Sequence, residues 1–196
     1  MSSAMDAMLS FNERFVTNKE YDQYGADRLQ DKKLAILTCM DTRLTRLLPA
    51  ALDLQNGAVK LITNAGGIIS HTFGSAMRSL LISVYFMDVE EIAVIGHYDC
   101  GMQGFEAAVL ERKMVEKGIP GERIEFVKEQ CGDLDAWFRG FDDAKDSVRN
   151  TVAMIRNHPL MPESVEVRGF LIDSRTGALE ALPDEAQAHG GERPAA

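Results

Sequence analysis

The chain of 196 residues has little that would take it out of water or onto nucleic acid. No window approaches the run of about 20 apolar residues that a membrane span needs. The N-terminal stretch MSSAMDAMLSFNERF carries no basic leader, and Glu13 and Arg14 break its short apolar patch, so a signal peptide is not expected. A cytoplasmic location is the default expectation. Basic charge is scarce: 21 Lys and Arg stand against 30 Asp and Glu, a formal net charge of −9. A face that displaces counterions from phosphates needs the opposite balance, so a nucleic-acid partner is not expected. Cysteine is scarce and odd in number, at positions 39, 100 and 131, which does not suggest a disulfide framework. Internal repeats and low-complexity segments are also lacking. What remains is the composition of one globular domain, 45% apolar and 26% charged.

Apolar runs alternate with helical patterns. Leu34-Ala35-Ile36-Leu37, Val59-Lys60-Leu61-Ile62 and Ile92-Ala93-Val94-Ile95 read as buried strands, and residues 165–172 as a fourth. Residues 178–182, after the turn Ser174-Arg175-Thr176-Gly177, are expected to pair back as an antiparallel edge. Helices are expected over residues 44–54, closed by Asn56-Gly57, and over 73–87, capped by Ser70 or Thr72. Two more are expected over 101–117 and 144–157, with a helical excursion at 122–142. In the helix over 73–87, Phe73, Ala76, Met77, Leu80, Leu81, Val84 and Met87 share one face. The pattern predicts an α/β fold: a mainly parallel central sheet of four to five strands flanked by helices. Residues 1–30 are expected as an N-terminal helical arm anchored by Phe11, Phe15, Tyr21 and Tyr24. Residues 31–183 form the single α/β domain and 184–196 a flexible tail.

Ligands of open parallel sheets bind beyond the carboxyl ends of the strands. Cys39 is expected to end the first strand and His97 the third, so they can be neighbours in space despite their separation in sequence. Cys100 follows His97 by three, at the expected start of a helix. Two thiolates and an imidazole form a nitrogen-and-sulfur set that suits Zn2+, one per chain, with a fourth position left open. The alternatives are buried structural thiols, or a redox pair of Cys39 with Cys100. Asp41 lies two residues from Cys39, on the same side of an extended backbone, where it can reach a metal-bound water or fill the fourth position itself. Arg43 can hold that carboxylate with its planar fork, or the two can be an ordinary surface pair. Asn64-Ala65-Gly66-Gly67 makes a tight glycine loop whose N–H groups can hold an anion. His71 titrates in a range that suits a proton shuttle but reads as an ordinary residue at a helix start. Cys131 has no expected partner.

The segments C39-M-D-T-R43 and H97-Y-D-C100, in this order and with N64-A-G-G67 between them, resemble the β-class carbonic anhydrases, in a divergent bacterial subgroup. The resemblance is strong from about Lys33 to Met102 and weaker up to the last strand. It implies Cys39, His97 and Cys100 as zinc ligands, Asp41 and Arg43 as a catalytic dyad, and Asp41 as a fourth ligand in a closed state. It implies reversible hydration of carbon dioxide to bicarbonate and a proton by hydroxide formed at zinc, and a homodimer or higher homo-oligomer embraced by N-terminal helices. Two positions that hold an inhibitory bicarbonate in some bacterial members are Ile36 and Thr63 here, so that site is not expected. Gln30 stands nine residues before Cys39, where plant-like members place a donor. The same site would also serve hydrolysis of carbon disulfide or carbonyl sulfide, or stay a non-catalytic zinc site closed by Asp41.

Overall fold

The structure is a computed structural model that describes residues 3–24 and 32–183. Gln30, the tail at 184–196 and the side chain of Cys131 lie outside the described residues. Five strands form one sheet in the order β2-β1-β3-β4-β5: β1 Leu34–Cys39, β2 Lys60–Asn64, β3 Glu91–His97, β4 Glu166–Ile172 and β5 Leu179–Ala181. The first four run parallel, and β5 returns antiparallel on β4. This is the α/β fold expected from the sequence.

The central strands read as unbroken apolar runs because both sheet faces are covered. Ala35 and Leu37 of β1 face one way, with Val94 and Leu171. There they meet Met77 and Leu80 of α3 (Ser75–Phe86) and Val148, Val152 and Ile155 of α7 (Ala144–Arg156). Ile36 faces the other way, with Ala93, Ile95 and Ile172, and packs on Leu44 and Leu48 of α2 (Leu44–Ala51). Each fully buried Leu or Ile here contributes roughly 1.5–3 kcal/mol of transfer free energy. The position of Ile36, which the resemblance set apart, is thus plain core. Two glycines let α7 press onto the sheet. A Cβ at Gly96 would lie 2.6 Å from Val148 Cγ2, and one at Gly169 2.7 Å from Val148 Cγ1, so Val148 nests against both.

Three boundaries differ from expectation. α2 stops at Ala51 rather than 54, because the chain turns through Asp53 at φ 49°. α3 begins at Ser75 behind Gly74, with no side-chain cap from Ser70 or Thr72. The helix expected from residue 101 begins only at Ala107, as α4 (Ala107–Glu116). Residues 102–105 are drawn instead into a short backbone pairing with 140–141: Gly104 N–H donates to Phe141 O at 2.8 Å, Phe141 N–H to Met102 O at 3.2 Å and Gly140 N–H to Phe105 O at 2.9 Å. The excursion is helical, as expected, in α5 (Gly121–Cys131) and α6 (Leu134–Phe138).

At the N-terminus, α1 (Ala4–Thr17) opens on a capping box of Ser3 and Asp6. No residue of α1 is buried, and Met5, Met8, Leu9 and Phe11 are all more than half exposed. Phe15 bridges Phe11 and Tyr24, and Asn56 Nδ2 donates to the Tyr24 carbonyl at 2.9 Å. Among the described residues no helix is long and apolar enough to cross a membrane.

Candidate metal centre

Because β1 lies beside both β2 and β3, three chain segments meet at one end of the sheet. Cys39, the last residue of β1, is in register with Asn64, the last of β2. His97 ends β3. The chain then turns within three residues, through Asp99 at φ 55°, a left-handed conformation that Asp tolerates better than most residues. That turn delivers Cys100 back to the strand ends. One ligand atom each from Cys39, His97 and Cys100 lies within 4.8 Å of the others, and the two sulfurs are 3.8 Å apart. All three side chains are buried. Cys100 therefore reaches the site from a turn, not from the start of a helix.

The donor set tests well for a metal. His97 Nδ1–H donates to the Tyr98 carbonyl at 2.9 Å, which fixes the tautomer that leaves the Nε2 lone pair free. Nε2 is buried without a hydrogen-bond partner. An orphaned buried nitrogen is costly unless something takes its lone pair. The Cys39 thiol is pushed well below its ordinary value, first by S–H donation from Cys100, then by His97 and by the N–H groups of Gly66 and Asp41. The same contact drives Cys100 upward. A divalent cation among the three would remove that competition, since a coordinating thiol ionises outright. The proximity of Cys39 raises the pKa of His97.

Asp41 and Arg43 meet as the spacing suggested. Arg43 Nε donates to Asp41 Oδ1 at 3.0 Å and Nη2 to Oδ2 at 2.8 Å, and the Arg43 backbone N–H adds a third bond at 2.9 Å. These bonds hold the Asp41 carboxyl at about 2. Its Oδ2 lies 3.9 Å from His97 Nε2, so the carboxylate borders the ligand set while bonded to Arg43. Arg43 Nη2 also donates to the Asp99 carbonyl at 2.9 Å. Sequence reasoning passed over Asp99 and Tyr98. Their backbone carbonyls act here, and only their position between the two ligands of H97-Y-D-C100 could have flagged them.

The Asn64–Gly67 loop braces the site from the other side. Asn64 spends its amide internally, with Nδ2 donating to Ile68 O at 2.7 Å and Oδ1 accepting from Ile68 N–H at 3.0 Å. Gly66 N–H is turned toward the Cys39 sulfur. Gly67, at φ 65°, sits against β1, and a Cβ there would lie 2.9 Å from the Cys39 nitrogen. His71 is exposed, and its Nδ1 accepts the Phe73 N–H at 3.1 Å, a local turn contact at the approach to α3.

The family model described as carbonic anhydrase matches residues 34–179. A Bacillus subtilis protein provisionally named carbonic anhydrase YtiB is 46% identical over 180 residues, which are 92% of this chain and 96% of that one. The chain belongs to the β-carbonic anhydrase family. Among solved structures, the β-carbonic anhydrase isoform I of Trichomonas vaginalis superposes with a TM-score of 0.82 at 32% identity. That superposition covers 92% of this chain and 97% of that one. A carbon disulfide hydrolase of Acidithiobacillus thiooxidans is 27% identical over 155 residues, 76% of each chain. Within this member of the β-carbonic anhydrase family, then, the two cysteines and the histidine that could hold a metal stand where the fold converges.

Proposed function

We propose that this β-carbonic anhydrase binds one Zn2+ through Cys39, His97 and Cys100 and catalyses the reversible hydration of carbon dioxide to bicarbonate and a proton. One observation carries the reading: an ionised Asp41, locked by three bonds from Arg43, stands 3.9 Å from the unpartnered Nε2 of His97. Zinc held by these ligands would supply Lewis acidity, which brings the pKa of water to about 7. Asp41 accepts a hydrogen bond from the attacking oxygen and turns a lone pair of that oxygen toward the carbon of CO2. Arg43 keeps Asp41 ionised, so that the carboxylate orients the nucleophile without taking its proton. The pairing with Arg43 supports an open fourth position over one filled by Asp41. We assign the backbone of Asn64, Ala65, Gly66 and Gly67 to the product side of the pocket, beside Cys39. The proton leaves to solvent buffer. The cytoplasm, where the two ligand thiols stay reduced, suits this assignment.

Stopped-flow hydration of CO2, followed with a pH indicator on zinc-loaded protein, tests the reading. The expected result is a rate far above that of Cys39→Ala at equal concentration, and equal rates would sink it. A second reading, hydrolysis of carbon disulfide, has the support of the relatives at 27–28% identity that bear that name. The same preparation assayed for sulfide release decides between the two. We expect hydration to dominate, since the relative at 46% identity is named for it.

We further propose a homodimer or higher homo-oligomer. The support is α1, whose Met5, Met8, Leu9 and Phe11 stand exposed and so offer an apolar face to a second copy. Light scattering on a sizing column is expected to give at least twice the 21.7 kDa of one chain, and a single-chain mass would overturn the proposal.

A further inference from the structure

The turn between His97 and Cys100 is held from outside by residues from the other end of the chain. Tyr98 O–H donates to Glu180 Oε2 of β5 at 2.5 Å, and the second oxygen of Glu180 pairs with Lys145 Nζ of α7 at 2.6 Å. Tyr98 N–H donates to Ile172 O at 3.3 Å. One residue on, the Asp99 carboxylate pairs with Arg175 Nη2 at 3.2 Å. The turn carries the two carbonyls that orient the site. That of Tyr98 takes the His97 Nδ1–H, and that of Asp99 takes Arg43 Nη2.

We infer that Tyr98 is a positioning residue, whose bond to Glu180 fixes the Tyr98 backbone and through it the ring of His97 toward the metal. The inference rests on the zinc reading above. Exposed ion pairs contribute little to stability, and the Lys145 and Glu180 side chains are 40% and 44% exposed, so stability does not explain this chain of contacts. Its effect falls on orientation. Partners that fix a ligating imidazole change metal affinity when removed by 10- to 100-fold as a rule, and Tyr98's hydroxyl stands one bond further out.

Tyr98→Phe keeps the ring and deletes the hydroxyl, and Glu180→Gln deletes the acceptor's charge. Zinc dissociation constants, measured by competition with a chromophoric chelator, are expected to rise roughly threefold to tenfold in each. The ligand-field absorption of the cobalt(II)-substituted protein should shift in each. The double variant should be no weaker than either single one, because the two groups act through one contact. Lys128→Ala removes a half-buried ion pair with Glu111, 2.7 Å between α5 and α4, and should change neither readout. Wild-type affinity and an unshifted cobalt spectrum in both single variants would overturn the inference, as would additive losses in the double variant. Neither readout depends on the substrate. A wild-type chain that binds no metal would overturn the zinc reading and this inference with it. A metal-binding wild type matched by its variants would overturn this inference alone.

Discussion

Cys39→Ala is expected to abolish stoichiometric metal binding and to lower CO2 hydration by more than about a thousandfold, to the level of buffer alone. In the proposed site the thiol is one of three ligand groups, and the two remaining donors would not hold a catalytic zinc against competition from water and chelators. The variant should still fold. Cys39 ends a strand whose other residues, Ala35 to Thr38, carry the packing, and alanine preserves the backbone contacts to Asn64 and Gly67. Metal content by plasma mass spectrometry, circular dichroism and stopped-flow rates measure the three parts of the expectation. A folded variant that retains one zinc per chain and its rate would remove Cys39 from the site.

Asp41→Ala separates metal binding from chemistry. The metal-to-protein ratio should stay near that of the wild type, because Asp41 is bonded to Arg43 and stands outside the Cys39, His97 and Cys100 cluster. Hydration should fall by roughly 10²- to 10⁴-fold, the range for loss of a positioned group that handles a proton. The loss should lie in kcat. Arg43 would keep only its bond to the Asp99 carbonyl, with no carboxylate to present to the nucleophile. Full activity in this variant would exclude Asp41 from the mechanism. The sign of the pH effect also follows. The folded carboxyl, at about 2, lies below the unfolded value of about 3.9. The pair's contribution to stability is therefore complete above about pH 4 and is lost as pH falls toward 2. Between pH 6 and 9 Asp41 does not titrate, so any activity change in that window belongs to another group.

The sequence showed most of this site because its parts announce themselves locally. Leu34 to Leu37 and Ile92 to Ile95 are apolar runs too short for helices, and Cys39 and His97 stand at their ends. The Asp41–Arg43 pair is two residues apart, within reach of any local reading. Legibility stopped where the chain contacts itself at a distance. No periodicity foretells that residues 102–105 will pair with 140–141 in place of a helical turn, although Gly101 and Gly104 mark a weak helix start. Tyr98 meets Glu180 across 82 positions, and nothing near either residue signals the other. α3 likewise begins after Gly74 because the turn of 71–74 is closed by backbone, Gly74 N–H donating to His71 O at 2.9 Å, where a cap was expected from a side chain.

The strand order has a consequence for how the protein matures. β1 and β3 pair from Leu34 with Glu91 to Thr38 with Ile95, His97 is the last residue of β3, and Cys100 follows it by one short turn. The residues proposed as ligands are thus carried by paired strands and the turn that follows β3, with Val148 packed against Gly96. Small zinc modules are unfolded until metal arrives. On the zinc reading, ligands carried by a paired and packed sheet would make loading the filling of a ready socket. On the same reading, the supply of metal in the cell would set how many molecules are active, while the number of folded molecules stays the same.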